Sequence, residues 1–170
     1  MKKKILSGLF AVVVISFLAF GFVAITSHLS SQREHAEIPE FSFATLEGEE
    51  FTKADLNGGR PVIFVYANAE CESCEEAAAL LAAHKDELKS AQFVMVFPND
   101  VIEVERYFEK VREIHELDNF VFVIDPYKNF RQLFGPGDFP SFFVYDKDGN
   151  FVAMIAGLSD INILTRYLES

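Results

Sequence analysis

The chain has 170 residues, the usual length of one domain, and half of its residues are apolar. Its formal net charge of −11, from 26 acidic and 15 basic residues, excludes the basic surface that a nucleic-acid-binding protein needs. The presence of only two cysteines excludes a scaffold of several disulfides, which leaves one bridge or one dithiol site.

The first segment of the chain, residues 1–27, predicts a transmembrane anchor. Lys2–Lys4 precede an uncharged, largely apolar run over residues 5–26. As a helix this run is about 33 Å long, enough to cross a hydrocarbon core of about 30 Å, whereas the apolar part of a cleaved signal usually has about 7–15 residues. Small residues near the end of the run leave cleavage, and export of a soluble form, as the alternative.

The distribution of charge predicts on which side of the membrane the rest of the chain lies. The lysines before the run and the mixed, acidic stretch after it favour an N-terminus in the cytoplasm. The remainder, with 12 basic and 26 acidic residues and a net charge of −14, then lies in the periplasm or at the cell exterior. We therefore expect a single-pass protein of the cell membrane.

Residues 28–37 predict a polar linker, because they lack apolar periodicity. His28 and His35 lie in this stretch, and a metal site would need further ligands that converge on them. We therefore predict that both histidines are solvated and bind no metal. The domain itself is predicted to span residues 38–170.

Strands and helices alternate along this domain. The predicted strands are 41–45, 49–52, 61–66, 92–97, 120–124, 141–145 and 151–156. The predicted helices are 73–88, a helix capped by Asp100 that runs to about Glu116, 128–134, and a last helix capped by Ser159 or Asp160. Because continuous apolar runs are typical of strands covered on both faces, this order predicts an α/β fold with a mixed central sheet flanked by helices. Between the last two strands, Asp146–Asn150 predicts a hairpin turn rather than a calcium loop.

The two cysteines form the motif Cys71-Glu72-Ser73-Cys74, which lies where a predicted buried strand leads into a helix. At a helix N-terminus, free backbone N–H groups and the positive end of the helix dipole stabilise a thiolate, which is the attacking species in disulfide exchange. We therefore predict that Cys71 attacks a partner disulfide and that Cys74 resolves the mixed disulfide.

Two structural roles compete with this interpretation of the motif. A structural zinc site needs about four ligands, and the chain has no third cysteine. A purely structural disulfide is compatible with an exported domain, but a loop of four residues restricts the unfolded chain little. The residues therefore favour a redox function.

The segment Phe139-Pro140-Ser141 is a second candidate feature, since it opens a predicted strand after a loop rich in glycine and proline. X–Pro bonds adopt the cis form at low cost, and a proline donates no hydrogen bond to the sheet. Taken alone, this proline could simply begin a strand. Together with the dithiol, it favours a cis Pro140 that lies beside the cysteines and presents backbone groups to a substrate.

The order of several short segments resembles the TlpA/ResA-type thioredoxin-like redoxins, which are exported and often membrane-anchored. These segments are Ile38–Phe41, Leu46–Gly48, Asp55-Leu56, Pro61–Tyr66, Cys71–Cys74, Phe139–Phe143 and Asp146–Gly149. The resemblance implies a thioredoxin-like fold over residues 38–170, with Cys71 as nucleophile, Cys74 as resolving cysteine and a cis Pro140. It also implies protein thiols or disulfides as partners, such as an apocytochrome or another redox protein, an upstream thiol electron donor, and no cofactor.

The segment around the motif departs from the family pattern at four positions. Many relatives carry Trp at the position of Glu70 and Pro at the position of Ser73, and many carry a Glu associated with proton handling at the position of Ala77 and a Pro at the position of Ala79. The proton-handling residue is therefore unassigned. The alternatives are Glu72, Glu75 and Glu76, which could also be ordinary acidic residues of a first helical turn.

Acidic residues crowd the dithiol and predict its redox character. Glu70, Glu72, Glu75 and Glu76 lie within five residues of a cysteine, and like charge disfavours a thiolate. We expect these carboxylates to outweigh the helix dipole if they point toward the sulfur. The pKa of Cys71 would then lie well above that of strongly oxidising dithiols, and the site would be reducing.

The sequence thus predicts an extracytoplasmic thiol–disulfide oxidoreductase. A thiol peroxidase of the peroxiredoxin type is one alternative, although that site normally has Thr where this chain has Asn68, and an Arg that holds the peroxide. A non-catalytic binding module that retains the fold is the other, because a fold does not guarantee an activity.

Overall fold

The computed structural model describes residues 37–168, in which seven strands form one mixed sheet. The predicted anchor, over residues 5–26, and most of the predicted linker lie outside the described residues. Among residues 37–168, no helix is both long and apolar enough to cross a membrane.

The seven strands are arranged in the order β2-β1-β5-β4-β3-β6-β7. They are β1 (Ser42–Thr45), β2 (Glu50–Thr52), β3 (Val62–Tyr66), β4 (Gln92–Phe97), β5 (Phe120–Ile124), β6 (Ser141–Tyr145) and β7 (Phe151–Ala156). All seven predicted strands are present, and the predicted mixed sheet is confirmed.

Six helices flank the sheet in the described part of the chain. They are α1 (Glu72–Ala83), α2 (Lys85–Leu88), α3 (Val101–Lys110), α4 (Arg112–His115), α5 (Phe130–Phe134) and α6 (Asn162–Thr165). The predicted helix 73–88 is interrupted at His84, and the predicted helix ending at Glu116 is interrupted at Val111. Asp100 caps α3 as predicted, since its carboxylate accepts the Glu103 N–H at 2.9 Å.

The last helix begins later than predicted. Its N-cap is Ile161, so neither Ser159 nor Asp160 holds that position. The Asp160 carboxylate nevertheless accepts the Asn162 N–H at 3.0 Å, which supplies a partner for a free amide at the helix start.

The sheet register brings two chain segments to the same edge. Strands β3, β4 and β5 are parallel, so their carboxyl ends lie together, whereas β6 runs antiparallel to β3 and pairs Ser141 with Tyr66. The start of β6 therefore lies beside the end of β3. This arrangement places the segment around Pro140 next to the loop that leads to Cys71.

Alternating residues of β3 fill two hydrophobic cores, one on each face of the sheet. Ile63 and Val65 face the core that α1 and α3 cover, and Phe64 and Tyr66 face the core that contains α5. The second core is largely aromatic, and Phe130 stacks on Phe134 with ring centroids 4.4 Å apart. Burial on both faces explains the unbroken apolar run of this strand.

The β6–β7 connection is the predicted hairpin turn. The Asp146 carboxylate accepts the N–H groups of Asp148 at 2.9 Å and Asn150 at 2.8 Å, and Gly149 adopts a positive φ of 84°. These hydrogen bonds satisfy the turn's own amides, and the residues that suggested a calcium loop therefore stabilise a turn.

Candidate active site at the dithiol

The dithiol lies at the junction that the sequence predicts, directly after β3 and at the start of α1. Two asparagines shape the intervening loop. The Asn68 side chain accepts the Glu70 N–H at 2.8 Å, and the Asn99 side chain, from the loop after β4, accepts the Ala69 N–H at 3.0 Å. These bonds occupy the loop amides and fix the approach of the chain to Cys71.

Cys71 occupies the N-cap position of α1, with extended backbone angles. Its carbonyl accepts the N–H groups of Cys74 at 3.0 Å and Glu75 at 3.2 Å, so Cys74 lies within the first helical turn. Both cysteines are free thiols, Cys71 partly exposed and Cys74 fully buried. The structure thus brings the predicted nucleophile to the surface and places its predicted partner beneath it.

The Cys71 sulfur has two polar neighbours. Ser73 Oγ lies 3.1 Å away, and the carbonyl oxygen of Phe139 lies 3.8 Å away. Ser73 occupies one of the positions that depart from the family pattern, and its hydroxyl can donate to a thiolate. The departure therefore supplies a stabilising group at the nucleophile.

Burial is the largest single influence on the pKa of Cys71 and raises this pKa. Four hydrogen bonds lower it, and their combined effect is larger than that of burial. These bonds come from the side chains of Cys74 and Ser73 and from their backbone amides, and they lower the pKa of Cys71 below its ordinary value. The expectation that the surrounding carboxylates dominate is therefore wrong. Whether the pKa still lies well above that of strongly oxidising dithiols stays a prediction.

Cys74 has the opposite shift. Burial raises the pKa of Cys74 to about 12, and the charges of Cys71 and Glu75 act in the same direction. A hydrogen bond from the backbone N–H of Asn68 lowers the pKa and only partly opposes these effects. Cys74 is therefore a thiol at neutral pH. The two cysteines therefore have opposite pKa shifts. Nucleophilic attack by Cys71 and later resolution by Cys74 require this kind of difference.

Solvent exposure explains the weak effect of the four acidic residues on Cys71. Glu70, Glu72 and Glu76 are exposed. Glu75 is partly buried, and its carboxylate accepts a hydrogen bond from Lys110 at 2.6 Å. Water screens the first three, and the charge of Glu75 acts on Cys74 rather than on Cys71.

The peptide bond between Phe139 and Pro140 is cis, as predicted. Pro140 is buried at the start of β6, and its carbonyl accepts the Gly157 N–H at 2.8 Å. The Phe139 carbonyl is the group that approaches the Cys71 sulfur, so the structure brings the predicted proline segment to the dithiol.

Two residues near the site could not be predicted from the cysteine motif. The Tyr107 hydroxyl donates to the Cys74 carbonyl at 3.0 Å from a fully buried position on α3. The Arg131 guanidinium lies over the rings of Tyr66 and Phe139, 5.8 Å and 5.6 Å from their centroids. In the sequence, Tyr107 looks like an ordinary residue of an apolar helix face and Arg131 like a surface charge, because only the fold brings Tyr107 to Cys74 and Arg131 to Phe139.

Comparison with known proteins identifies a family. Residues 33–164, which include the dithiol and Pro140, match the Redoxin family. No curated protein matches the sequence. The match covers most of the chain, and it supports the predicted enzyme class, a thiol–disulfide oxidoreductase.

Solved structures with the same fold include two proteins of Mycobacterium tuberculosis. DsbF is 22% identical with a TM-score of 0.64, over 76% of this chain and 92% of DsbF. A secreted disulfide oxidoreductase homologous to DsbE of E. coli is 20% identical with a TM-score of 0.62, over 81% and 97% of the two chains. A yeast mitochondrial 1-Cys peroxiredoxin is 18% identical with a TM-score of 0.64, over 79% and 74%. These similarities confirm the thioredoxin-like fold.

Proposed function

Since the chain belongs to the Redoxin family, we propose that it is an extracytoplasmic enzyme that reduces protein disulfides through Cys71 and Cys74. The asymmetry of the two cysteines is the observation that supports this proposal most directly. Cys71 is accessible and has a lowered pKa, whereas Cys74 is buried and has a pKa of about 12. Disulfide exchange needs one attacking sulfur and one that acts only afterwards.

The reaction proceeds in two displacement steps. The Cys71 thiolate attacks one sulfur of the partner disulfide, so that a mixed disulfide forms and the other partner sulfur leaves as a thiolate. Cys74 then loses its proton to solvent, and its thiolate attacks the Cys71 sulfur. The mixed disulfide breaks, the second partner sulfur leaves, and the Cys71–Cys74 disulfide forms. The partner gains two electrons, which an upstream thiol donor must return to the enzyme.

The Phe139 carbonyl and the cis peptide bond at Pro140 form the second wall of the site in this proposal. The carbonyl oxygen lies 3.8 Å from the Cys71 sulfur. A partner segment whose disulfide reaches Cys71 therefore passes this backbone. Pro140 acts as a positioning residue, because it sets the direction of that carbonyl.

The ionisation of the two cysteines supports the proposal that the enzyme donates electrons to its partners. Because Cys74 has a pKa of about 12, it remains a thiol at neutral pH, and no ionisation of this residue stabilises the reduced enzyme. Ionisation can therefore stabilise the reduced enzyme only through Cys71, and the proposed direction requires the Cys71 pKa, although lowered, to stay well above those of strongly oxidising dithiols. Protein disulfides fit as substrates, including those of an apocytochrome or of another redox protein.

The proposed location rests on the N-terminal segment. The uncharged run over residues 5–26 is long enough for a transmembrane helix, and Lys2–Lys4 favour a cytoplasmic N-terminus. The domain would then act outside the cytoplasm, and cleavage of the segment would release it as a soluble form. The similar M. tuberculosis disulfide oxidoreductase is described as secreted, which agrees with an extracytoplasmic function.

Turnover by the full chain in detergent tests the proposed activity. With a thiol as electron donor, we expect the chain to catalyse the reduction of a protein disulfide such as that of insulin, and Cys71→Ala to abolish this catalysis. Hydrogen peroxide serves as the competing oxidant. Activity that survives in Cys71→Ala, or rapid reduction of peroxide without reduction of disulfides, would contradict the proposal.

A further inference from the structure

Two contacts join α3 to the first turn of α1, beside the cysteines. The Tyr107 hydroxyl donates to the Cys74 carbonyl at 3.0 Å, and Lys110 Nζ donates to the Glu75 carboxylate at 2.6 Å. Two consecutive residues of the dithiol helix are therefore held by two residues of α3 that lie three positions apart. Residues with this spacing share one face of a helix, so α3 presents both contacts together.

The packing of Tyr107 anchors the part of α3 from which the Lys110 side chain extends to Glu75. Tyr107 is fully buried, and its ring contacts Phe97 and Phe108 with centroids 5.3 Å and 5.8 Å apart. Asp100 caps the beginning of the same helix. Lys110, in the last turn, extends from a well-anchored backbone even though its side chain is 55% exposed.

The partner of Lys110 is the acidic residue that acts on the resolving cysteine. Glu75 follows Cys74 directly, its side chain is only 26% exposed, and its charge raises the pKa of Cys74. Glu70, Glu72 and Glu76 are exposed and do not have this role. A cation 2.6 Å from the Glu75 carboxylate offsets part of its charge.

We propose that Lys110 is a positioning residue for the resolving step, because it holds the Glu75 carboxylate and offsets its charge beside Cys74. Without Lys110, Glu75 opposes the formation of the Cys74 thiolate more strongly, and the mixed disulfide persists longer. Attack by Cys71 does not depend on this pair. The inference rests on the proposed function, since it concerns the second of its two displacement steps.

An aromatic disulfide that releases a coloured thiolate, 5,5′-dithiobis(2-nitrobenzoic acid), separates the two steps. The Cys71 thiolate attacks the reagent's disulfide and releases one thionitrobenzoate, which leaves a mixed disulfide on Cys71. The Cys74 thiolate, after losing its proton to solvent, attacks the Cys71 sulfur and releases the second thionitrobenzoate. The fast phase of absorbance therefore reports Cys71, and the slow phase reports Cys74.

Stopped-flow measurement on the reduced full chain in detergent tests the proposal. We expect Lys110→Gln to slow the second phase about two- to fivefold and to leave the first phase unchanged, as the loss of one partly exposed ion pair implies. We expect Glu75→Gln to accelerate the second phase, and Lys110→Gln to have no further effect in that background. Lys85→Gln, which removes an exposed lysine of α2, is the matched control.

The outcomes separate this inference from the proposed function. An unchanged second phase in Lys110→Gln, or an equal slowing in the Glu75→Gln background, would overturn the role of Lys110. Slowing of both phases alike would also overturn it. If the unaltered chain released no thionitrobenzoate from Cys71, the proposed function itself would fail.

Discussion

Cys71 and Cys74 lie within one turn of the same helix, yet their surroundings differ in every respect that governs thiol chemistry. Cys71 caps the helix, is partly exposed and has a lowered pKa. Cys74 is fully buried, and its pKa is about 12. The difference shows that a single helical turn, placed at the edge of a sheet, is enough to separate a partly exposed thiol with a lowered pKa from a buried thiol with a raised pKa.

Exchange of either cysteine for serine should have the largest effect on the enzyme. We expect Cys71→Ser to abolish both turnover and trapping, because Cys74 is buried and protonated. We expect Cys74→Ser to abolish turnover but to accumulate a mixed disulfide on Cys71, since the resolving thiol is absent. Non-reducing electrophoresis and mass spectrometry check this. A mixed disulfide on Cys74 in Cys71→Ser would contradict the assigned roles.

The pH dependence of the two phases should show the next largest difference between the cysteines. Burial, the largest cause of the raised pKa of Cys74, persists in the mixed disulfide, so the thiolate fraction of Cys74 and the rate of the second phase should keep rising from pH 7 to 9. The first phase should level off at a lower pH, because the pKa of Cys71 is lowered. Stopped-flow profiles check this, and two parallel profiles would contradict it.

Ser73→Ala should have a smaller effect that is confined to Cys71. The variant removes the hydroxyl 3.1 Å from the Cys71 sulfur, which helps to lower the pKa of Cys71. The pKa of Cys71 should therefore rise, although water replaces part of the bond because Ser73 is exposed. Alkylation rates against pH measure the shift. Ser73→Thr, which keeps the hydroxyl, is the control, and an equal shift in both variants would argue against the hydrogen bond.

Tyr107→Phe should have the smallest effect, and it acts on stability. The variant removes one buried hydrogen bond to the Cys74 carbonyl and keeps the aromatic ring. The free energy of unfolding should fall by about 1 kcal/mol, the usual net value of such a bond. Urea unfolding checks this, with an unchanged dependence on denaturant. An unchanged stability would show that this contact does not anchor Cys74 to α3.

Much of the architecture follows from local sequence patterns. Local patterns predict three features: the strand β3 from its apolar run, the dithiol at a helix start from Cys71–Cys74, and a cis peptide bond from Pro140. Each prediction is possible because strand burial, helix capping and proline geometry are local properties. Pairing β3 with both β4 and β6 then brings these pieces to one edge. The dithiol and the cis peptide bond could therefore be predicted together.

The remaining features depend on contacts between distant residues. The interruptions at His84 and Val111 occur within segments that the sequence predicts as continuous helices, so periodicity alone does not show them. Tyr107 reaches Cys74 across 33 residues, and Lys110 reaches Glu75 across 35. Counting charges near the motif overestimated the effect of the carboxylates on Cys71, because it does not tell which side chains point to solvent and which act on the other cysteine.

The most direct test of the difference between the two cysteines is alkylation of the reduced full chain across pH, with mass spectrometry to identify the modified residue. We predict that Cys71 reacts first, that the midpoint of its reactivity against pH lies below the ordinary thiol pKa, and that it is still mostly a thiol at about pH 5. Cys74 should resist modification until much higher pH. Equal midpoints for the two cysteines, or earlier reaction of Cys74, would contradict the asymmetry. A Cys71 that is mostly thiolate at about pH 5 would contradict the reducing direction.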